Sequence, residues 1–295
     1  MSAPGASAGE RLRQLVRTSA PVEAMSCHSP LSALLGLEAG FSALWASGFE
    51  LSALYGLPDA QFLGLAEHLD MTRRIVERTG ALVIADLDTG FGNAANAAHA
   101  VGRYSAAGAA AVVIEDKVFP KMTSLIPEGR QVLIRIEEYQ GKIAASLQAA
   151  GAKGPVVCAR TEALVAGASL DEALERGAAY AEAGAELLLV HSKGPGSAEI
   201  EAFIGRWRGA IPLMIVPTAF PDFTRAAAAA TGKVAVMIYA NHGVRASVKA
   251  MREAFAAIRS SGAAAGAEAM IASTAEVFDL QGMDGLKRLE SDYLR

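Results

Sequence analysis

Acidic side chains stand directly behind two apolar runs in the first half of the sequence. Asp86 and Asp88 end the run ALVIADLD, and Glu115 lies at the end of AAVVIED. Side chains two positions apart on an extended strand point to the same side, so we expect the Asp86 and Asp88 carboxylates to lie together. Such a cluster repels itself unless protons or a cation compensate. An all-oxygen ligand set favours a hard divalent ion, most often Mg²⁺ with several waters retained, and Mn²⁺ or Co²⁺ would fit the same oxygens.

Asp59 is a fourth acidic candidate for this metal site. It follows a proline in the loop GLPDA, and it reaches the other carboxylates only if that loop folds back. The alternative for all of these acids, and for Asp59 above all, is that they cap helices or lie in solvated loops. The sequence thus predicts a metal site with Asp59 as its most distant contributor.

Positive and hydrogen-bonding groups form a second candidate set. Arg160 lies near the end of PVVCART, His191 near the end of ELLLVHS, and Lys121 in the stretch IEDKVFPKMTSL. A guanidinium grips a phosphonate or carboxylate through two parallel hydrogen bonds, although an isolated arginine at a strand end is more often structural. The amides of residues 47–49 are suited to a carboxylate, because Gly48 lets an anion approach the chain closely. These groups predict a small anionic substrate.

Eight short apolar runs would bring these side chains together. They cover residues 22–26, 41–47, 81–88, 110–116, 155–161, 186–192, 211–218 and 233–241. Most are continuously apolar, which indicates parallel strands buried on both faces. The segments between them are long enough for crossover helices, and the one starting at Ser169 shows a capping box with Glu172 and an ending at Gly184.

This pattern predicts an α/β fold, a closed (β/α)8 barrel of the TIM type. The active site of such a barrel lies where the strands end, which is where the candidate residues stand. A doubly wound open sheet is the alternative, but it usually carries a glycine-rich nucleotide turn after its first strand, and this sequence has none.

Length and charge limit the remaining possibilities. The 295 residues suit one large barrel, and we predict a single domain over residues 1–295 with a flexible tail at about residues 1–10 and helices at the C-terminus. A net charge of −4 without a basic stripe argues against nucleic acid as a partner. The chain shows neither a secretory signal nor an apolar stretch that could span a bilayer, so we expect a cytoplasmic protein with no membrane partner.

Seven stretches of the chain resemble, in order, those of the phosphoenolpyruvate mutase/isocitrate lyase superfamily. They are WASGFELS, ADLDTGFGN, IEDKVFPKMTSL, CARTEALVAG, HSKGPGSAEIEAF, IVPT and YANHGVRASV. The resemblance runs from about residue 20 to the C-terminus, and its D-x-D-T-G-[FY]-G-N and E-D-K-x-F-P-K patterns are the specific ones. It implies a barrel whose eighth helix is exchanged between paired subunits, in a homodimer or homotetramer.

The resemblance also implies roles for the candidate residues. Asp86 becomes the direct Mg²⁺ ligand, supported through waters by the other three carboxylates. Arg160 and His191 face the phosphonate end of a 2-oxo acid. A loop that opens and closes over the site carries Lys121, Thr123 and Ser124. The pocket for the 2-oxo acid is lined by Trp45, Ser47, Gly48 and Phe49.

The loop sequence KMTSL distinguishes between branches of this superfamily. The carbon–carbon lyases resemble one another in a K-[KR]-C-G-H loop whose cysteine handles a proton, and this chain has no such cysteine. The mutase has asparagine where Thr123 stands, whereas threonine is typical of the members that hydrolyse phosphonopyruvate to pyruvate and phosphate. The resemblance thus favours Mg²⁺-dependent hydrolysis of a carbon–phosphorus bond.

The alternatives are mutase, another 2-oxo-acid lyase or decarboxylase, or a barrel without catalytic activity. In the hydrolase interpretation Thr123 orients the attacking water or is briefly phosphorylated itself. The predicted catalytic residues are Thr123, Lys121, Arg160, His191 and Asp59.

Overall fold

The structure, a computed structural model, describes residues 5–18, 20–126 and 131–294. The chain forms two compact units, one ending at His242 and the other running from Gly243 to Arg295. The first unit contains eight parallel strands that pair in sequence order and close into a barrel. The predicted (β/α)8 fold is therefore confirmed.

Each of the eight predicted apolar runs coincides with a strand, and only β1 extends past its run, by one residue. The strands are β1 Val22–Cys27, β2 Ala43–Ala46, β3 Val83–Asp86, β4 Ala111–Glu115, β5 Val156–Thr161, β6 Leu187–Val190, β7 Leu213–Ile215 and β8 Val234–Tyr239. Every residue of β2 to β7 is buried, as expected for parallel strands covered on both faces.

Helices follow the strands and cover the barrel. In the first unit they are α1 Ala8–Leu15, α2 Pro30–Glu38, α3 Gly48–Leu54, α4 Leu65–Thr79, α5 Ala94–Ala106, α6 Ile136–Ala150, α7 Leu170–Glu182, α8 Ala198–Arg206 and α9 Arg225–Ala230. Among the residues described beyond these, the helices are α10 His242–Ser261, α11 Thr274–Gln281 and α12 Met283–Tyr293, with two 3₁₀ turns at Ala264–Gly266 and Glu268–Met270.

Helix α7 shows how local sequence sets these boundaries. The Ser169 side chain accepts a hydrogen bond from the amide of Glu172, as the sequence predicts. The other half of the predicted capping box differs, because the Glu172 carboxylate instead accepts from Arg176 Nε at 3.0 Å one turn further on. Gly184 adopts a φ of +99° just after the helix, a conformation that favours glycine.

Alternate residues of each strand pack into two separate apolar layers. Along β4, Val112 and Ile114 pack with helix residues such as Tyr139, whereas Ala111 and Val113 pack with inward-facing residues of other strands. The interior of the barrel is thus filled by one phase of each strand, and the opposite phase holds the helices in place.

Helix α1 begins inside the predicted N-terminal tail. Residues 1–4 lie outside the described part of the chain, but α1 begins at Ala8 behind a capping box formed by Ser7 and Glu10. Leu12 is fully buried, and Arg13 Nε pairs with Glu186 at 2.5 Å. The prediction was wrong for residues 8–10 because this segment, although charged, is amphipathic.

The second unit consists of most of α10 together with α11 and α12. Its helices leave large apolar side chains exposed, among them Met251, Phe255, Leu289 and Tyr293. No helix in the described residues combines the length and apolar character needed to cross a bilayer. The prediction of one domain over residues 1–295 stays a prediction.

Candidate active site

In each strand, every second residue faces the interior of the barrel, and this alternation explains how the candidate residues come together at the strand ends. In β5, Cys158 belongs to the interior layer and Arg160 is the next residue in the same phase. The same step leads from Val113 to Glu115 in β4 and from Leu189 to His191 after β6. The side chains that continue the inward phase at the strand ends are Ser47, Asp86, Glu115, Arg160, His191 and Thr218.

These strand ends open into a cavity of about 50 Å³. Most of the predicted site residues line it. Its lining consists of Trp45, Ser47, Phe49, Asp59, Asp86, Lys121, Thr123, Ser124, Leu125, Arg160, His191, Val216, Thr218, Ala240 and Asn241. Gly48, Asp88 and Glu115, the other predicted residues, contact members of this lining from outside it.

Asp88 reaches the site by a route other than the predicted one. β3 ends at Asp86, and Asp88 has a φ of +50°, in the left-handed region that a residue with a side chain rarely adopts. Its amide donates to Asp86 Oδ1 at 3.1 Å. The expectation of an extended pair was therefore wrong, although a turn brings the two residues together.

Gly48 lies against the Asp88 carboxylate. A Cβ at this glycine would stand 3.0 Å from Asp88 Oδ1. A side chain at position 48 would therefore force the carboxylate to move. The sequence predicts that Gly48 helps to bind the substrate. The structure shows that the absence of a side chain at this position also leaves room for the Asp88 carboxylate.

Lys121 joins two of the predicted metal carboxylates. Its Nζ lies 2.8 Å from Asp59 Oδ1 and 2.7 Å from Asp88 Oδ1, so the GLPDA loop does fold back into the site. Gln61 holds this arrangement, because its Oε1 accepts from the Lys121 amide at 2.9 Å and from Thr89 Oγ1 at 3.0 Å.

The protonation of these groups follows from burial and charge. Burial would lower the pKa of Lys121, but Asp88 and Asp59 raise it well above its usual value. Burial would raise the pKa of Asp59, yet Lys121 and a hydrogen bond from Thr123 lower it. Burial raises the pKa of Asp88 to about 8, although Lys121 opposes the shift. Lys121 therefore remains charged and holds Asp59 ionised.

Arg160 lies among three carboxylates on the other side of the cavity. Its Nε is 2.6 Å from Glu162 Oε1, and its terminal nitrogens are 3.3 Å from Glu115 and 3.8 Å from Asp86. His191 Nδ1 also lies 2.9 Å from Glu162 Oε1. Burial would lower the pKa of Arg160, but Glu162 and Glu115 raise it well above its ordinary value.

The loop after β4 is tied down by a buried lysine. Lys117 Nζ donates to the Met122 carbonyl at 2.8 Å and to Ser124 Oγ at 2.9 Å. Ser124 in turn donates to Glu162, and Gln131 Nε2 donates to the Thr123 carbonyl at 2.9 Å. The loop is thereby held over the cavity with Thr123 only 8% exposed.

Sequence reasoning missed three residues of this site. Glu162 stands two positions after Arg160, so strand alternation signals that it could lie beside it. Lys117 is the first lysine of the E-D-K-x-F-P-K pattern. The pattern marks the residue as part of the family's motif but does not indicate what the side chain does. Gln61 has no signal in the sequence, because its contacts are with residues 28 and 60 positions away.

Tyr139 supports the strand ends from α6. Its hydroxyl accepts from the Arg160 amide at 3.2 Å and donates to the Ile114 carbonyl. It thus bridges β4 and β5 at the point where Glu115 and Arg160 pair. A helix side chain helps to fix the spacing of two site residues.

The carboxylates suit a divalent ion that keeps much of its water. Within the described residues, Asp88 Oδ1 and both carboxylate oxygens of Glu115 are buried and have no hydrogen-bond partner by geometry. Cationic nitrogens do lie at ion-pair distances, that of Lys121 from Asp88 and those of Lys117 and Arg160 from Glu115. No three His, Cys, Asp or Glu side chains of the described chain converge closely enough to hold an ion directly. Hard oxygen donors with few direct contacts fit Mg²⁺, which dehydrates reluctantly.

Comparison with known proteins agrees with this geometry. The phosphoenolpyruvate phosphomutase family model matches residues 12–259. The chain is 48% identical to phosphonopyruvate hydrolase of Variovorax sp. (strain Pal2), over 97% of this chain and 99% of that protein. It is 40% identical to phosphoenolpyruvate phosphomutase of Streptomyces hygroscopicus, over 97% and 91% of the two chains.

Solved structures show the same likeness. A phosphonopyruvate hydrolase complexed with oxalate and Mg²⁺ superposes with a TM-score of 0.92 at 46% identity, covering 98% of this chain and all of the other. The predicted resemblance is confirmed. The chain belongs to the phosphoenolpyruvate phosphomutase family, within the phosphoenolpyruvate mutase/isocitrate lyase superfamily.

Proposed function

We propose that this chain hydrolyses the carbon–phosphorus bond of phosphonopyruvate, giving pyruvate and phosphate. The observation that carries the proposal is Thr123, a buried hydroxyl residue that lines one cavity together with Asp59, Arg160 and His191. The relative and the solved structure with the highest similarity reported above are both phosphonopyruvate hydrolases, and they support it.

The two ends of the substrate meet different groups. Arg160 and His191 bind the phosphonate, because a guanidinium and an imidazole supply several donors to phosphoryl oxygens. Trp45, Ser47 and Phe49 line the part of the cavity for the 2-oxo acid. Residues 47–49 offer backbone amides to its carboxylate, next to the close approach that Gly48 permits.

The site also has residues for a metal. Asp86 would hold a divalent ion directly, with Asp59, Asp88 and Glu115 acting through waters, and the relative's complex with Mg²⁺ supports that choice. Such an ion, when bound, would supply Lewis-acid stabilisation of the negative charge that develops on the 2-oxo acid.

The reaction requires the bond between carbon and phosphorus to break with its electron pair left on carbon. That pair delocalises into the neighbouring ketone and is finally quenched by a proton to give pyruvate. The phosphoryl group passes through a loose, highly charged arrangement, which Arg160 and His191 neutralise. Lys121, held charged by its two carboxylates, adds positive charge on the facing side.

Thr123 determines what receives the phosphoryl group. Its hydroxyl lines the cavity together with the Asp59 carboxylate, which can accept the hydroxyl proton and leave the oxygen to orient water or to bond to phosphorus. Asparagine, which the mutase carries at this position by resemblance, can bind a phosphoryl group but is a poor acceptor. Closure of the loop 121–126 limits how much water enters.

Phosphorus NMR of the purified protein with phosphonopyruvate and Mg²⁺ tests the proposal. Release of inorganic phosphate supports hydrolysis. Accumulation of phosphoenolpyruvate would assign the chain to the mutases instead, and unchanged substrate with folded protein would contradict both activities.

We also propose that the chain acts as a homo-oligomer in the cytoplasm. The exposed apolar side chains of the second unit, including Met251 and Phe255 on α10, favour a second copy of the chain as the partner. An eighth helix exchanged between subunits, as the resemblance implies, would involve this helix.

A further inference from the structure

Glu162 is a fully buried carboxylate at the end of β5 to which no role has been given so far. Both of its oxygens are engaged, each with a different set of partners. Oε1 lies 2.6 Å from Arg160 Nε and 2.9 Å from His191 Nδ1. Oε2 accepts from Ser124 Oγ and lies 3.5 Å from Lys117 Nζ. One side chain therefore contacts both proposed phosphonate ligands and the loop that covers them.

The backbone of Glu162 is fixed as firmly as its side chain. Its amide donates to Asp116 Oδ1 at 2.8 Å. Asp116 is itself held by the hydroxyl of Tyr180 at 2.7 Å and by Thr161 at 3.2 Å. These contacts restrain the position of Glu162 relative to the barrel strands, so its carboxylate can hold its own partners in fixed positions.

This contact sets the tautomer of His191. An ionised carboxylate can only accept, and Arg160 together with His191 lowers the pKa of Glu162 well below its usual value against the opposing effect of burial. His191 Nδ1 lies 2.9 Å from Glu162 Oε1, which can only accept, and 3.0 Å from Arg160 Nη2, which can only donate. Because Arg160 Nη2 has Glu115 Oε2 at 3.3 Å as another acceptor, we assign the proton of the neutral ring to Nδ1, which donates it to Glu162. The second ring nitrogen, Nε2, is left for the cavity that His191 lines.

Glu162 also restrains Arg160 against competing attraction. Glu115 and Asp86, at 3.3 and 3.8 Å, draw the guanidinium towards the proposed metal site. The contact with Glu162 is the shortest of the three and involves Nε, so it fixes the orientation of the guanidinium plane. Without it, Arg160 would move towards Glu115 and away from the phosphonate.

We propose that Glu162 is a positioning residue that aligns Arg160 and His191 for the phosphonate group, an inference that rests on the proposed function. It acts through its partners and not by contact with substrate. Through Ser124 it also binds the covering loop, so the loop closes on the same carboxylate that orients the phosphonate ligands.

Glu162→Gln separates positioning from charge, because the two effects have opposite signs. Loss of a negative charge near the phosphonate site would by itself tighten anion binding. Loss of alignment would weaken it. We expect weaker binding of inorganic phosphate and a kcat/KM for phosphonopyruvate lowered about 10- to 100-fold, the usual effect of losing a partner that orients a ligand. Oxalate has no phosphonate, and its binding should stay unchanged.

Two further variants complete the experiment. Glu162→Asp keeps the charge and withdraws the oxygens, so we expect it also to weaken phosphate binding with oxalate binding retained; it remains informative if the glutamine variant folds poorly. Glu172→Gln removes an equivalent contact with an arginine Nε, at 3.0 Å on the surface of α7, and should leave both ligands unaffected. Tighter phosphate binding in Glu162→Gln, or equal losses for phosphate and oxalate, would contradict the proposal.

The tautomer of His191 provides a readout that does not depend on catalysis. In ¹⁵N NMR of histidine-labelled protein, assigned with a His191→Asn variant, we expect a protonated Nδ1 that loses its preference in Glu162→Gln. Identical spectra in both proteins would overturn the proposal. If the wild-type protein releases no phosphate from phosphonopyruvate, the proposed function fails, whereas the NMR and the phosphate titration still decide the role of Glu162.

Discussion

Thr123 combines a reactive hydroxyl with restricted mobility. Its carbonyl is held by Gln131, its side chain lines the cavity together with Asp59, and the residue is only 8% exposed. A water or phosphoryl group that meets this oxygen therefore does so in a defined direction. Proton transfer by a positioned group typically contributes about 10²- to 10⁴-fold to a rate, and Thr123 with Asp59 is placed for such a contribution.

We expect Thr123→Ala to lower phosphate release from phosphonopyruvate by about 100-fold or more, because the oxygen that directs water is lost. Phosphorus NMR or a phosphate assay measures the rate. Thr123→Ser keeps the hydroxyl and is the matched control. Thr123→Asn should also lower hydrolysis, and phosphoenolpyruvate is the product to look for. Full phosphate release by the alanine variant would rule out this role.

The buried side chain of His68 should make the free energy of unfolding depend on pH. The side chain is buried in α4 with Nδ1 2.5 Å from the Tyr104 hydroxyl, and burial lowers the pKa of His68 to about 4. The unfolded chain binds a proton near the ordinary histidine value of about 6.5. Since the unfolded state is protonated first, the stability contributed by His68 is complete above that pH and is lost as the pH falls towards 4.

We therefore expect the free energy of unfolding to fall by about 2 kcal/mol more in the wild type than in His68→Gln between pH 7.5 and pH 5. The glutamine stays neutral over this range and can still pair with Tyr104. Urea unfolding at the two pH values gives the comparison. Equal pH dependence of the two proteins would show that His68 takes up its proton freely in the folded state.

The loop that carries Thr123 is an element held by few but buried contacts. Lys117 is 2% exposed and contacts the Met122 carbonyl and Ser124, so one ammonium group binds two parts of the loop. The loop also exposes apolar side chains, including Met122 and Leu125. Its closed position thus depends on polar contacts at its base more than on packing at its tip.

Lys117→Met should speed hydrogen exchange in residues 122–126, because the loop loses both contacts with the ammonium group. Exchange measured by mass spectrometry tests this. Lys142→Met is the matched control: Lys142 is also buried and donates to a backbone carbonyl, that of Thr89 at 2.8 Å, on a different loop. Unchanged exchange in residues 122–126 of the Lys117 variant would contradict the assigned anchoring.

The strands could be predicted from the sequence because their residues alternate between the barrel interior and the layer beneath the helices. Both layers are apolar, so each strand appears as a continuous apolar run. The same regularity carried the prediction to the strand ends: to Glu115 and Arg160 within β4 and β5, and to His191 directly after β6. It failed at Asp88, because a turn with positive φ replaces the strand there. Gln61 escaped prediction for another reason: its partners lie 28 and 60 positions away, and no local pattern encodes such contacts. Glu162 shares the strand phase of Arg160, but its contacts with Ser124 and His191 come from other loops and are not encoded locally.

At the scale of the whole molecule, we expect the C-terminal helices to take part in the proposed association with a second copy of the chain. Phe255 on α10 and Leu289 on α12 are 64% and 57% exposed, which is unusual for large apolar side chains. Burial of such residues against another copy is worth about 25 cal/mol for each Å² removed from water. The exposed apolar side chains of these helices therefore give a physical reason to expect self-association.

We expect a dimer or tetramer in solution, by light scattering coupled to gel filtration. Phe255→Glu and Leu289→Glu should shift the protein to a smaller mass, because a charge must then be buried at the interface. Lys249→Glu, at an exposed position on the same helix α10, is the control and should keep the assembly. A wild-type monomer would contradict the expected association.

Tyr139 couples the end of the barrel wall to a helix. Its hydroxyl lies between the Arg160 amide and the Ile114 carbonyl, beside the direct bond from the Asp116 amide to the Arg160 carbonyl at 3.1 Å. The ends of β4 and β5 are therefore held both by backbone pairing and by a side chain of α6. During refolding, the Arg160 amide should consequently reach its full protection from hydrogen exchange only when α6 docks, later than the amides in the middle of the two strands.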